Sequence, residues 1–255
     1  MAMNKVIDIQ SAIDKVKKND TVLLGGFGNV GAPMHLLYEL AKRPEIDGLT
    51  LVTEDMHNGG LSFVQGPEAL LRTGQLKKII VSFIGSHKAV ESAIMEGRLE
   101  LEFVPQGTLI ERIRAAGAGL GGFYTPTGVG TEVEQGKETK IINGKKYLLE
   151  LPLRGNVALV KAYKADPMGN AVFKLTAGNF NMSMATAANT VILEVEKLVP
   201  VGDIEPDAVH LPGIFVDYVV LAEGAMYYDK RSDNKNVANM FHDGDVVNLG
   251  VGIPT

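Results

Sequence analysis

Hydrophobic and polar positions along this chain follow two periods, and each change of period marks an element. Ile9, Ala12, Ile13 and Val16 recur at helical spacing, and Lys17, Lys18, Asn19 and Asp20 close the segment, so a helix over residues 9–16 is expected, with a turn after it. The apolar run Val22-Leu23-Leu24 then reads as a buried strand. Beyond a glycine cluster, Pro33 opens a second helix carried by Leu36, Leu37, Leu40 and Ala41 and ended by Pro44. Strand patterns continue at 49–52, 79–83 and 99–104, with helical patterns around 89–97 and from Thr108 to about Ala116. Strands separated by helices of this length predict βαβ crossovers and a parallel sheet.

The middle of the chain breaks the alternation. Residues 117–131 are dense in glycine, and a loop this long in a compact domain is more often functional than decorative. Residues 138–149 alternate around Asn143-Gly144, the strongest hairpin signal present, which predicts an inserted β-hairpin. Strand patterns return at 157–160, 190–195 and 215–220, with a short helix at 182–188. From Ala225 to Asn239 the composition turns polar and charged (Asp229, Lys230, Arg231, Asp233, Lys235), as a linker does. The expected fold class is α/β: an open, mostly parallel sheet with helices on both faces, a β-hairpin insertion and a glycine-rich loop. A domain boundary is expected near residue 228.

Composition narrows the function classes. A chain of 255 residues with 45% hydrophobic side chains can bury a full core. Its net charge of −5, with no Lys/Arg cluster, gives no electrostatic footprint for nucleic acid. The lack of cysteine excludes a disulfide framework, a thiolate nucleophile and a Cys-built zinc site. His35, His57, His87, His210 and His242 are too scattered for ligand spacing, so no metal is expected. No apolar stretch approaches the ~20 residues that cross a bilayer, and no apolar signal core opens the chain. A soluble cytoplasmic protein, without nucleic-acid or membrane partners, is expected.

Candidate chemistry gathers where strands give way to helices. Residues 19–33 combine an acidic turn, an apolar strand, glycines and a closing proline, and residues 243–254 echo them imperfectly. Gly25, Gly26, Phe27, Gly28, Asn29, Val30 and Gly31 lie between a strand and a helix, where a helix N-terminus can face a phosphate or a developing oxyanion. A tight turn packed through glycine explains the same residues about as well. No acidic residue closes a second strand as a dinucleotide site needs, and the Lys-Ser/Thr of a P-loop is missing. Gln106, between Pro105 and Gly107, carries an amide that can donate to a carbonyl oxygen without being charged, although a solvated loop residue is the plainer reading. Glu54 and Asp55 follow a strand, but neighbours on an extended segment point to opposite faces, so at most one faces a site. A turn or cap role is the plainer reading for this pair. His57 and His87 near the same rim, and Arg112 and Arg114 on the following helix, read more simply as surface residues.

Together, these segments resemble a known family. Residues 19–33, Val104-Pro105-Gln106-Gly107 with the helix to Arg114, the glycine-rich 117–131, Asp166-Pro-Met-Gly-Asn170 and Asn179-Phe-Asn181 resemble the A (alpha) subunit of family I coenzyme A transferases, the 3-oxoacid/acetate CoA-transferase group. The resemblance covers residues 5 to 222. It implies a ping-pong transfer of CoA between a short-chain (3-oxo)acyl-CoA and a free carboxylate, in which a glutamate of the B (beta) half attacks the thioester and then carries CoA. That glutamate lies in a Ser-Glu-Asn-Gly segment, which this chain lacks. No catalytic nucleophile is therefore expected here, and no turnover from this chain alone.

The resemblance also assigns roles by position. The loop from Gly25 to Gly31 is implied to associate with CoA, which is a substrate; no permanently bound cofactor is implied. Gln106 is implied to polarise the acyl carbonyl, and Glu54, Asp55, Gln106 and Gly107 to bind substrate. Relatives commonly carry an asparagine-containing pair at Glu54-Asp55, so a carboxylate here is expected to repel dicarboxylates such as succinate and to favour short monocarboxylates or an amino-substituted acid. Residues 1–228 then form the A-half domain, and 229–255 a linker and truncated start of a B half. The implied partner is a B subunit or B half within an oligomer. A non-catalytic CoA or acyl-CoA binding protein, and a thioester hydrolase using Glu54, are the alternatives.

Overall fold

The computed structural model describes residues 4–56, 66–84 and 87–222. The elements run α1 (Ile9–Ile13), β1 (Thr21–Leu24), α2 (Met34–Ala41), β2 (Leu49–Val52), α3 (Glu68–Arg72), β3 (Leu76–Val81), α4 (Lys88–Met95), β4 (Glu100–Phe103) and α5 (Gln106–Gly117). They continue with β5 (Phe123–Thr125), β6 (Thr139–Ile142), β7 (Lys145–Glu150), β8 (Gly155–Ala165), β9 (Ala171–Val172), α6 (Asn181–Thr186), β10 (Ala188–Leu198) and β11 (Tyr218–Leu221).

An eight-stranded sheet runs in the order β11-β10-β8-β1-β2-β3-β4, with β9 attached to β8. Neighbours along that order are parallel, and β9 alone is antiparallel. The period of two explains the two buried faces. Val22, Leu24, Leu51 and Leu159 pack with α1 to α4, whereas Leu23, Val52, Ala158 and Val160 pack with α5 and α6. Both faces are thus covered, as a parallel sheet requires.

The expected α/β architecture holds, with local differences. Helix α1 stops at Ile13, short of Val16. Strands β8 and β10 are each 11 residues long, because backbone pairing continues through the polar Lys161, Lys164 and Lys197 that interrupt the apolar pattern. The strand expected over 215–220 begins at Tyr218, since Pro212 and Gly213 introduce a 3₁₀ turn through Phe215. Helix α3 was not indicated by the pattern. The Asn143-Gly144 hairpin forms, with positive φ at both residues (49° and 76°). The glycine-rich stretch adds β5 to it, giving a small antiparallel sheet in the order β5-β7-β6. The expected boundary near residue 228 and the segment resembling a B half lie outside the described residues. Among the described residues, no helix is long and apolar enough to cross a membrane.

Candidate active site

Because the sheet is parallel, the carboxyl ends of β1, β2, β3, β4 and β8 share one edge. The chain builds outward from β1 to β4 and then returns to the other side of β1 as β8, so the order reverses at the β1–β8 crevice, where open α/β sheets hold ligands. The loop Gly25–Gly31 leaves β1 at this crevice. Phe27 and Val30 exchange backbone hydrogen bonds of 3.0 Å, and Gly26, Gly28 and Gly31 adopt φ of 110°, 55° and 72°, which favour glycine.

The loop is braced from below by Asn181, the fully buried first residue of α6. Its Nδ2 donates to Gly31 O (2.9 Å) and Ala177 O (2.8 Å), and its Oδ1 accepts from Lys161 N (2.9 Å). A Cβ on Gly25 would lie 1.9 Å from Asn181 Oδ1, so glycine there is required by packing. The helix that follows the loop is occupied as well. Pro33 provides no side-chain cap, and the buried Glu194 of β10 does so: Oε2 accepts from His35 N (3.0 Å) and Leu36 N (3.1 Å), while Oε1 meets His35 Nδ1 at 3.2 Å. Two of the N–H groups of this N-terminus thus serve an internal carboxylate.

The neighbouring stretch of the edge is finished differently. Beyond β2, the Glu54 carbonyl accepts from Ser82 N (3.1 Å) and Ser82 Oγ (2.9 Å), joining the ends of β2 and β3. The Glu54 side chain is only 4% exposed. Its Oε1 accepts from Gln106 Nε2 (2.9 Å) and lies 3.3 Å from Ser82 Oγ, whereas Oε2 is enclosed with no hydrogen-bond partner. Gln106 is the first residue of α5 and is exposed; one of its two amide N–H groups engages Glu54, and the other is not used by that contact. A Cβ on Gly107 would meet open space. Asp55 bridges Phe83 in parallel, and a Cβ on Gly28 would lie 3.9 Å from Asp55 Oδ2, so the loop tip approaches this region.

A family model for coenzyme A transferases matches residues 6–222. The chain belongs to the coenzyme A transferase family. The A (alpha) component of succinyl-CoA:3-ketoacid coenzyme A transferase from Helicobacter pylori (strain J99) is 46% identical over 222 residues, covering 87% of this chain and 94% of that one. The alpha subunit of acetate CoA-transferase from Escherichia coli K12 is 40% identical over 220 residues, covering 86% and 97%. Among solved structures, an acyl-CoA transferase from Escherichia coli O157:H7, in a thioester complex with CoA, superposes with a TM-score of 0.77 at 22% identity. That superposition covers 89% of this chain and 49% of the other, so the chain spans about half of that protein.

Within this coenzyme A transferase fold, the structure unites Glu54 and Gln106, which the sequence placed far apart, and brings Gly28 towards Asp55. It does not bring His87 to them: its Nδ1 lies 3.8 Å from Glu68 Oε2, at the start of α4. His57 lies outside the described residues. Arg112 binds Glu102 (2.8 Å) and Leu151 O (3.0 Å), and Arg114 binds Glu111, so both are engaged within the fold. Burial pushes the Glu102 carboxyl up, but hydrogen bonds from Arg112 and Lys78 outweigh it and hold the group below the usual carboxylate range. Asp166 receives the N–H groups of Met168 (2.9 Å) and Asn170 (3.0 Å), so the Asp-Pro-Met-Gly-Asn segment is a locked turn. Sequence reasoning missed Glu194 and Ser82. A lone glutamate inside the apolar run Val191-Ile-Leu-Glu-Val195 was the available signal for the first; a serine after an apolar strand gave none.

Proposed function

We propose that this chain is the A (alpha) component of a short-chain, 3-oxoacid-type CoA-transferase, a cytoplasmic enzyme whose nucleophilic glutamate comes from a B subunit or B half. The match to alpha-type relatives over nearly their whole length carries this reading. CoA is a substrate, exchanged between an acyl-CoA and a free carboxylate through an acyl-glutamyl anhydride and then a glutamyl thioester on the partner. The loop from Gly25 to Gly31 shapes the CoA side of the site. Gln106 offers its remaining N–H to the acyl carbonyl, with Glu54, Asp55 and Gly107 beside it. Phe27, Phe83 and Phe103, exposed by 42%, 58% and 53%, give the same edge an apolar rim for the partner to cover. One of these relatives is named for succinyl-CoA and a 3-ketoacid and the other for acetate; the Glu54 charge favours acids without a second carboxylate here.

The test is reconstitution. Purified chain, purified B partner and their mixture are assayed for CoA exchange, and only the mixture is expected to turn over. No exchange in the mixture would support a CoA-binding protein without catalysis. Thioester cleavage by the chain alone, lost in Glu54→Gln, would support a hydrolase.

A further inference from the structure

We infer that Glu54 recognises an ammonium group on the acyl chain, so that the site selects a short amino-substituted acid over its neutral and doubly acidic analogues. This deepens, and rests on, the CoA-transferase reading above. Other buried carboxylates are served by the fold: Glu68 by Arg72, Glu150 by Lys137, Asp166 by the backbone N–H groups of its own turn, and Glu194 by those of α2. Among the described residues, Glu54 is the buried carboxylate that keeps an enclosed oxygen without a partner. Leaving such an oxygen unpaired is costly, and a cation that donates hydrogen bonds removes the cost.

A second enclosed acceptor without a partner, Asn29 Oδ1, sits on the glycine loop beside Gly28, whose Cβ position is 3.9 Å from Asp55 Oδ2. The enclosed oxygens left over on Glu54 and Asn29 are acceptors. A carboxylate or carbonyl brings only more acceptors, whereas an ammonium brings three N–H donors and a positive charge. The free N–H of Gln106, on the amide already tied to Glu54, complements this by donating to an oxygen of the acid group. One substrate carrying an amine and a carboxyl a few bonds apart satisfies both side chains.

The complex of this chain with its B partner is assayed with one acyl-CoA donor and three four-carbon acceptors: β-aminobutyrate, β-hydroxybutyrate and succinate. The expected kcat/KM for β-aminobutyrate exceeds that for β-hydroxybutyrate by ~10-fold or more, with succinate the poorest. Glu54→Gln is expected to lower the first ratio by ~10-fold and to raise succinate relative to β-hydroxybutyrate. The wild-type ranking stands as a test even if that variant does not fold. Use of β-hydroxybutyrate or succinate at least as well as β-aminobutyrate overturns the inference and leaves the CoA-transferase reading intact. Exchange with no acid, acetate included, overturns both.

Discussion

Glu194 and Glu54 are both buried glutamates near the carboxyl edge of one parallel sheet, yet their surroundings differ in kind. At the β1–β8 crevice, Glu194 accepts two backbone N–H groups and meets His35, while Asn181 fastens the glycine loop from beneath. At the ends of β2, β3 and β4, Glu54 is held through one oxygen by Gln106, and the other is enclosed without a partner. At the crevice that topology marks for ligands, Glu194 and Asn181 hold the α2 N-terminus and the glycine loop, while Asn29 Oδ1 and His35 Nε2 stay enclosed without a hydrogen-bond partner. A buried carboxylate with all its partners is a structural part; one that keeps an enclosed oxygen without a partner is a candidate for function.

Substitutions can break this contrast. The largest effect is expected from Gly25→Ala, whose methyl would overlap Asn181 and disrupt both the loop and its brace. It should cost about 4 kcal/mol or more, read as a large loss of thermal stability or of soluble protein. Asn181→Leu strands Lys161 N and Gly31 O, and should cost about 3 kcal/mol in urea unfolding, with the loop's role in CoA exchange impaired in proportion. Glu194→Gln should cost about 2 kcal/mol, because the α2 N-terminus loses its charge partner. Glu54→Gln sharpens the comparison: it keeps an acceptor for Gln106 while removing an uncompensated charge, so stability should be unchanged or raised by up to about 1 kcal/mol. Equal losses for the two glutamine variants would erase the distinction.

The outer strand supplies a baseline. Glu102 is held below the ordinary carboxylate range in the fold, so its pairing stabilises the protein above that range and the contribution is lost as pH falls. Arg112→Leu should cost roughly 1 kcal/mol near neutral pH, Glu102 being partly exposed, and should leave a shallower loss of stability on acidification below about pH 5.

Much of the fold was legible because burial imposes period. The apolar runs that became β1, β2 and β10, and the helix behind Pro33, follow from hydrophobic runs and helical spacing in the sequence. The β5 strand, Phe123–Thr125, was hidden because three residues beside a glycine-rich run are too short to show a period, and pairing to β7 supplied what the local sequence could not. The site was legible as residue types at strand ends. That Glu54 meets Gln106 across 52 positions depends on β2, β3 and β4 lying side by side, which no local pattern encodes. Glu194 stood out only as a lone glutamate in an apolar run; its backbone partners on α2, which any sequence supplies, and His35 could not be read from the local pattern.

The central claim is that Glu54 recognises substrate while the nucleophile belongs to the partner. Intact-mass spectrometry of the complex with the B partner, after brief incubation with acyl-CoA and rapid quenching, tests it most directly. The expected spectrum shows this chain at its unmodified mass and the B polypeptide carrying a CoA adduct. An adduct on this chain, abolished by Glu54→Gln, would contradict it.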